Sequence, residues 1–556
     1  MTTIYVKILK IDGTCVTCCI ETAVLLFIYK YLQYENDGIL PLYFIIDPEL
    51  EEQETVVVDV SDINFQCKTD DFTDVSLKNC HLPIYSLNEH YSICGFCAVI
   101  REMIKTFEVY QWLLGFRGAC LSVCAEFSIW TKFCEVDLIE AVRSILVRSS
   151  ATIPKDLIRL EYHLLQPVRT HNIRKMASLY AKKNGNVEKD GATIEHCFVE
   201  GAELLISDLI VFPLIHISFA LYGIENLRSL IPLTCKWYEL MCSQEKISLC
   251  AKILSIQKSF AVLPLSIPTV KKESMYKCDP KRYNPDRRYF TKQEKIDKVL
   301  KIVDSMDVLK NRDYHDNSIL YENFTWNDVP HDANPKGGDL PDTRLSRKQH
   351  QIENIVKAAL KIVGKNDIVV DFCCGGGHIG ILLAYLLPSC SVILLDYKEF
   401  SLKKAYDRIK RLELKNVHII QSNIDYFKGD FQLGVSLHAC GVAADLVINK
   451  CIESRSKFVV APCCYGKVQE NHVLHYPKSK LMYDSVSLQD YLVLGHSADQ
   501  THKDEYSKSD QGEKCMKIID ADRCFHAEEN NYRVYLAKMI PVTCSPKNNF
   551  IVGIPE

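Results

Sequence analysis

Residues 367–380 read Asp-Ile-Val-Val-Asp-Phe-Cys-Cys-Gly-Gly-Gly-His-Ile-Gly, and no other stretch limits so tightly what the chain can fold into. A short apolar run closing on Asp371 reads as a buried strand. Gly375, Gly376 and Gly377 then permit a tight turn and a close approach of backbone to a ligand. Ile379, Leu382, Leu383, Leu386 and Leu387 follow at helical spacing until Pro388 stops the run. Strand, glycine turn and helix N-terminus together form a cradle for a nucleotide-type cofactor, because unpaired helix N–H groups face the ligand there.

The pattern continues downstream. A second apolar run, 391–395, ends in Asp396, where a carboxylate can accept both ribose hydroxyls of an adenine nucleotide. Helix-period residues at 399–412 and 442–452 alternate with strand-like runs at 417–420, 433–437 and 458–461. Such alternation predicts a doubly wound parallel sheet with its ligand at the strand C-terminal ends. The loop satisfies G-x-G-x-x-G, so by itself it leaves open both a dinucleotide oxidoreductase and an S-adenosylmethionine methyltransferase. Asp371, four residues before Gly375, resembles the opening of the acidic-x-Gly-x-Gly-x-Gly motif of methyltransferases, with Cys373 in place of the first glycine. Strand-like runs at 532–539 and 550–552 resemble the antiparallel closing strands of that fold. The resemblance implies that Asp371, Gly375 and Gly377 hold the methionine end of S-adenosylmethionine, Asp396 the ribose, and Asn423 or Asp425 the adenine.

Two further loops, 436–446 and 462–466, are similar to the paired His-x-Cys-Gly and Cys-Cys loops of a methyltransferase-like branch that includes tRNA 2′-O-methyltransferases. That group has a lysine before the histidine, a threonine before the aspartate and histidines after the cysteine pair. Leu437, Ala444 and Tyr465-Gly466 stand there in this chain. His438 is the candidate general base, with Asp445 orienting it, against the alternative of a histidine that only hydrogen-bonds its own loop. The Asn/Asp-Pro-Pro-Tyr sequence used for exocyclic amines is absent. Cys373, Cys374, Cys440, Cys463 and Cys464 fall on three strand ends. They could supply a nucleophile toward a pyrimidine. No C-x-x-C pair with a matching partner supports zinc, so no metal is expected. Small packed thiols are the reading adopted.

The first half is different. Residues 1–108 mix strands (4–11, 40–46, 55–60) with a helix at 21–34, and Cys15-x-x-Cys18 falls where a redox pair would sit at a helix N-terminus, against a reading as structural thiols. Residues 82–85 and the helical 97–104 resemble the cis-proline strand and third helix of glutathione transferase N-terminal domains, with Phe96 in place of the glutathione-contacting serine. Helical periodicity then covers 107–133, 136–148, 157–166, 207–222 and 235–241. Residues 202–214 resemble the core helix of the glutathione transferase C-terminal domain, with Leu205 at the usual Ser/Thr position and Ser207 left to cap. Within the apolar run 204–224, Asp208, Pro213 and His216 indicate a buried core helix and not a membrane span. His216 reads as a satisfied core histidine.

These observations predict a multidomain chain: a thioredoxin-like α/β region (1–108), an all-α glutathione-transferase C-terminal-like domain (109–265), a linker (266–345) and a Rossmann-like methyltransferase domain (346–556). In the linker Lys281, Arg282, Arg287 and Arg288 alternate with Tyr283, Tyr289 and Phe290, a mix able to grip single-stranded RNA. A net charge of -4 leaves any nucleic-acid contact to such a local patch. The opening residues lack the apolar core of a signal peptide, and 25 cysteines then point to reduced thiols in the cytoplasm. The arrangement resembles the glutathione S-transferase C-terminal domain-containing proteins. It implies a cytoplasmic protein with a methyltransferase fold and no assigned reaction, which together with the loop resemblances is read as an S-adenosylmethionine-dependent methyltransferase acting on RNA, whether tRNA or rRNA. The alternatives are a non-enzymatic protein docking a partner through its helical domain, and a glutathione transferase.

Overall fold

The computed structural model describes residues 2–34, 40–68, 75–147, 151–169, 194–256, 265–281, 289–306, 312–320, 324–338, 341–501 and 506–556. The chain divides into two units, one of Met1–Leu77, His81–Asn88 and Ile93–Asn284, the other of Lys78–Cys80, Glu89–Ser92 and Pro285–Glu556.

In the first unit the strand Thr3–Asp12 pairs antiparallel with Cys15–Cys19 and Ile84–Asn88 and parallel with Leu42–Ile46. Its alternating burial matches a strand with one face on a core. Cys15-x-x-Cys18 therefore lies in a strand, and the helix Ile20–Gln33 begins only after Cys19. Cys18 is fully buried, and burial pushes the Cys19 thiol up to about 12. Burial likewise lifts the Cys18 thiol well above its ordinary value, away from the low pKa of a redox thiol. The Leu82–Pro83 peptide is cis, as the sequence suggested, and Phe96 is buried at the start of the helix Phe96–Thr106.

The expected helix over 107–133 does not form. Short 3-10 turns, Glu108–Leu114 and Phe116–Gly118, meet at Gly115, which is left-handed (φ 69°). Regular helix returns at Ile129–Lys132 and Leu138–Val147, joined by a π turn. In the helix Ile206–Tyr222 the N-terminus is closed by Asp208, not Ser207. The Asp208 carboxylate accepts from the Leu205 N–H (2.9 Å), the Val199 N–H (2.8 Å) and Trp237 Nε1 (3.0 Å). His216 Nδ1 meets the Tyr238 hydroxyl at 2.8 Å. No described helix is long and apolar enough to cross a membrane.

The stretch read as a linker is divided between the units. Met275 and Asp279 are buried in the first, where Lys281 Nζ donates to Gln166 Oε1. In the second, Phe290 stacks on His496 and the helix Gln293–Ser305 packs on Leu488–Ala498. Arg282, Tyr283, Arg287 and Arg288 lie outside the described residues.

The second unit is built on seven strands in the spatial order Tyr532–Lys538, Asn549–Pro555, Lys457–Cys463, Leu433–Cys440, Ile368–Phe372, Ser391–Asp396, Val417–Gln421. The last five are parallel, and the first two join them antiparallel. Each inner strand is buried along nearly its whole length, which is why it reads as an unbroken apolar run. Successive strands run to one side of Ile368–Phe372 until Val417–Gln421, after which Leu433–Cys440 pairs on its other side. That reversal opens a crevice at the strand C-terminal ends.

Candidate functional site

The crevice is framed by the glycine loop. Gly375 (φ 55°) and Gly377 (φ 70°) are left-handed, and Gly377 caps the helix His378–Leu386. Gly380 allows the helix to close on the sheet: a Cβ there would stand 2.1 Å from Leu394 Cδ2. At Gly375 a Cβ would meet nothing within 4 Å, so the backbone borders open space where a ligand could approach.

The two strand-end carboxylates hold this loop. Asp371 Oδ2 accepts from the Gly380 N–H and Asp396 Oδ2 from the Gly375 N–H, both at 2.8 Å. Burial, aided by the charge of Asp396, lifts the Asp371 pKa to about 7 against the Gly380 hydrogen bond. Arg408, itself buried, donates to the Gly376 carbonyl (2.8 Å) and the Asp332 carbonyl (2.9 Å), locking the outer side of the turn. Past the third strand the Ser422 N–H donates to the Asp396 carbonyl, which places Asn423 beside that strand end. Asn423 Oδ1 caps the following turn, and Asp425 faces His472 Nε2 at 3.3 Å.

His438 sits at a break in its strand. The register with Lys457–Cys463 shifts between Leu437 and Ala439, and His438 is left-handed (φ 65°). A bulge of this kind re-aims a side chain. Cys373 (φ 55°) and Cys464 (φ 51°) are also left-handed, so each of the three strand ends carries a non-glycine residue in a sparsely populated conformation. Such residues cluster where function over-determines the backbone.

The partner of His438 is Gln351, not Asp445. Gln351 Nε2 donates to the Cys544 carbonyl (2.8 Å), which turns its Oε1 toward His438 Nε2 at 2.9 Å. The imidazole must then carry its proton on Nε2, leaving Nδ1 as an acceptor. Burial, and then the Lys348 charge, depress His438 to about 4, so it is neutral near pH 7. Asp445 is committed elsewhere: its carboxylate accepts from Arg523 Nε and Nη2 and from the Tyr476 hydroxyl, all at 2.8 Å.

Lys348 is a site residue the sequence did not announce. It shares a helix, Asp342–Ile362, with Gln351 three residues on, and its charge is felt by Asp371, His378 and His438. Among the described residues its Nζ makes no hydrogen bond or ion pair, and burial pulls its pKa down to about 8. Nothing in the charged run around it distinguishes Lys348 from solvent-facing neighbours; only the fold turns it inward.

The five thiols separate into two groups. Burial pushes Cys373 and Cys374 far up, so both stay protonated. Cys440, Cys463 and Cys464 instead lie together, and hydrogen bonds from its two neighbours lower the Cys440 pKa while the Cys463 thiol is raised.

Residues 347–471 match a methyltransferase domain family. The chain is 37% identical over 504 residues to the glutathione S-transferase C-terminal domain-containing protein homolog of Drosophila melanogaster, covering 86% of each. It is 30% identical over 613 residues to the Homo sapiens glutathione S-transferase C-terminal domain-containing protein, covering 96% of this chain and 95% of that one. Over 141 residues it is 29% identical to the ribosomal RNA small subunit methyltransferase G of Flavobacterium johnsoniae, covering 25% of this chain and 64% of that protein.

Proposed function

Because this chain belongs to the glutathione S-transferase C-terminal domain-containing protein family and its second unit carries a methyltransferase domain, we propose that it is an S-adenosylmethionine-dependent methyltransferase acting on RNA. The observation that carries the reading is the open face of the glycine loop. Left-handed Gly375 borders free space, its N–H held by the Asp396 carboxylate, while the Asp371 carboxylate holds the Gly380 N–H. These residues fit the cofactor: a cation bound there would draw Asp371 back to its ionised form. Lys348 is a fit for a carboxylate, Asp396 for ribose hydroxyls, and Asn423 or Asp425 for the adenine edge.

S-adenosylmethionine supplies an electrophilic methyl group on a sulfonium. The chain's own task is to place the acceptor in line and take its proton. His438 Nδ1 would accept that proton, its tautomer fixed through Gln351 and Cys544. The similarity to a ribosomal RNA methyltransferase supports RNA as the acceptor class. So do Lys398 and Lys467, exposed on the loops at these strand ends.

The test is titration calorimetry of the full chain with S-adenosylmethionine and S-adenosylhomocysteine, followed by transfer of labelled methyl to total RNA and to total protein. Binding of both ligands, lost in Asp396→Ala, with label in RNA, is the expected outcome. No binding of either ligand would overturn the enzyme reading, and label only in protein would overturn the acceptor.

A further inference from the structure

Cys440 and Cys463 close two neighbouring strands in register, and the Gly441 N–H donates to the Cys463 carbonyl at 3.0 Å. Their Sγ atoms are 3.0 Å apart, Cys463 and Cys464 Sγ are 3.7 Å apart, and all three sulfurs lie within 4.8 Å of one another. A disulfide would bring two of them to about 2.05 Å. Three thiolates on one tetrahedral ion with metal–sulfur bonds of about 2.3 Å would stand about 3.8 Å apart. One observed edge, 3.7 Å, matches that separation, the 3.0 Å edge is shorter than it but well beyond a disulfide, and the third is no longer than 4.8 Å.

The backbone is shaped to make this triangle. Successive side chains of an extended strand point to opposite faces, so vicinal Cys463 and Cys464 would normally diverge. Cys464 is left-handed instead, and its thiol comes round to join that of Cys463. The turn is held from outside: Asp499 accepts from the Tyr465 N–H (3.1 Å) and the Gly466 N–H (2.8 Å). Gly441 admits the chain at closest approach, since a Cβ there would stand 2.8 Å from Lys467 Cβ.

Packing does not explain the arrangement. Thiols that fill the core, such as Cys451 and Cys515, are sealed from solvent, whereas Cys440 and Cys464 are both part-exposed. Three thiolates on a divalent ion carry one net negative charge, and the Lys398, Lys467, Lys547 and Lys348 charges reach the cluster to offset it. We propose that Cys440, Cys463 and Cys464 form a site for a thiophilic divalent cation of the zinc class, with a fourth position left to water or a bound ligand. Each thiol that binds gives its proton to solvent. The site stands whether or not the cofactor reading holds.

Cobalt is the probe, because thiolate ligation gives sulfur-to-cobalt charge-transfer absorption together with the d–d bands of a tetrahedral ion. Full-length reduced protein, stripped with chelator and titrated with Co²⁺, is expected to show one such chromophore per chain, bleached by one equivalent of Zn²⁺. Cys440→Ser and Cys464→Ser should each lose the charge-transfer band while circular dichroism is unchanged, and Cys373→Ser should keep it. Absence of the band in the wild type, or a band that survives both Cys440→Ser and Cys464→Ser, would overturn the site.

Discussion

The buried pair Asp445–Arg523 separates a scaffold role from a catalytic one. Both side chains are 1% exposed, and Arg523 also reaches Asp520 at 3.0 Å. Breaking a buried pair by removing one partner costs about 3–5 kcal/mol, because a charge is left without compensation. Asp445→Asn keeps the shape and leaves Arg523 with Asp520, so the lower end, about 3 kcal/mol, is expected. For a domain of this size that is a fall in Tm of about 6–12 °C. Arg523→Met strands two carboxylates, and should cost more at neutral pH, about 5 kcal/mol, with the deficit shrinking in acid as both protonate. Burial opposes ionisation of Asp445, but Arg523 prevails and holds the carboxyl below its usual range. Its stabilising share is therefore present above the unfolded pKa of about 3.9 and is lost as pH falls through the folded value. Thermal unfolding of the full chain, followed by circular dichroism and paired with a methyl-transfer assay well below Tm, measures both effects. An Asp445→Asn protein with Tm within about 2 °C of wild type and activity reduced a hundredfold would refute this reasoning and return Asp445 to His438.

Three further outcomes follow from the site. His438 is depressed from 6.5 to about 4 by burial and Lys348. The unfolded chain thus binds the extra proton across that window, so stability is lost as pH falls through it, and wild type should lose roughly 3 kcal/mol more than His438→Gln between pH 6.5 and 4 in urea titrations. Gln351→Leu removes the acceptor that fixes the His438 tautomer, and should lower methyl transfer about 10²-fold with S-adenosylmethionine affinity unchanged by calorimetry. Gly380→Ala drives a methyl into Leu394, which is fully buried and cannot yield, so about 1–3 kcal/mol of stability should be lost in the same urea titrations.

The sheet of the second unit was legible because its signals are local. Each parallel strand is a largely apolar run closed by a polar residue, glycine or proline, and the observed bounds fall within a few residues of those read from pattern. The two carboxylates that hold the glycine loop were legible for the same reason, since Asp371 and Asp396 each end such a run. Partnerships across the chain were not. Arg523 lies 78 residues beyond Asp445, and Gln351 lies 87 before His438, so spacing could not assign either. In the first unit, periodicity through 107–133 ignored Gly115 and Gly118, whose left-handed backbones end each short turn.

What pattern loses most consistently is side-chain direction at the strand ends, and Cys373 shows why. Alternation assumes extended backbone, yet Cys373, His438 and Cys464 are all left-handed, and a bulge at His438 resets the parity of its strand. Cys373 occupies the first-glycine position of the methyltransferase motif, and its φ of 55° is a conformation a glycine adopts freely. The substitution has therefore kept the turn that the motif needs and placed strain where glycine would have none. Cys373→Gly should relieve about 1 kcal/mol of backbone strain while losing a similar amount of side-chain burial, leaving Tm and S-adenosylmethionine affinity near wild type. Cys373→Val retains apolar bulk, but a β-branched residue is a true outlier at positive φ, and should lose about 1–3 kcal/mol of stability with weaker cofactor binding. Calorimetry on both variants decides the matter: a valine tolerated as well as glycine would mean that the turn at Cys373 is not required to be left-handed, and the motif likeness at that position would carry no structural weight.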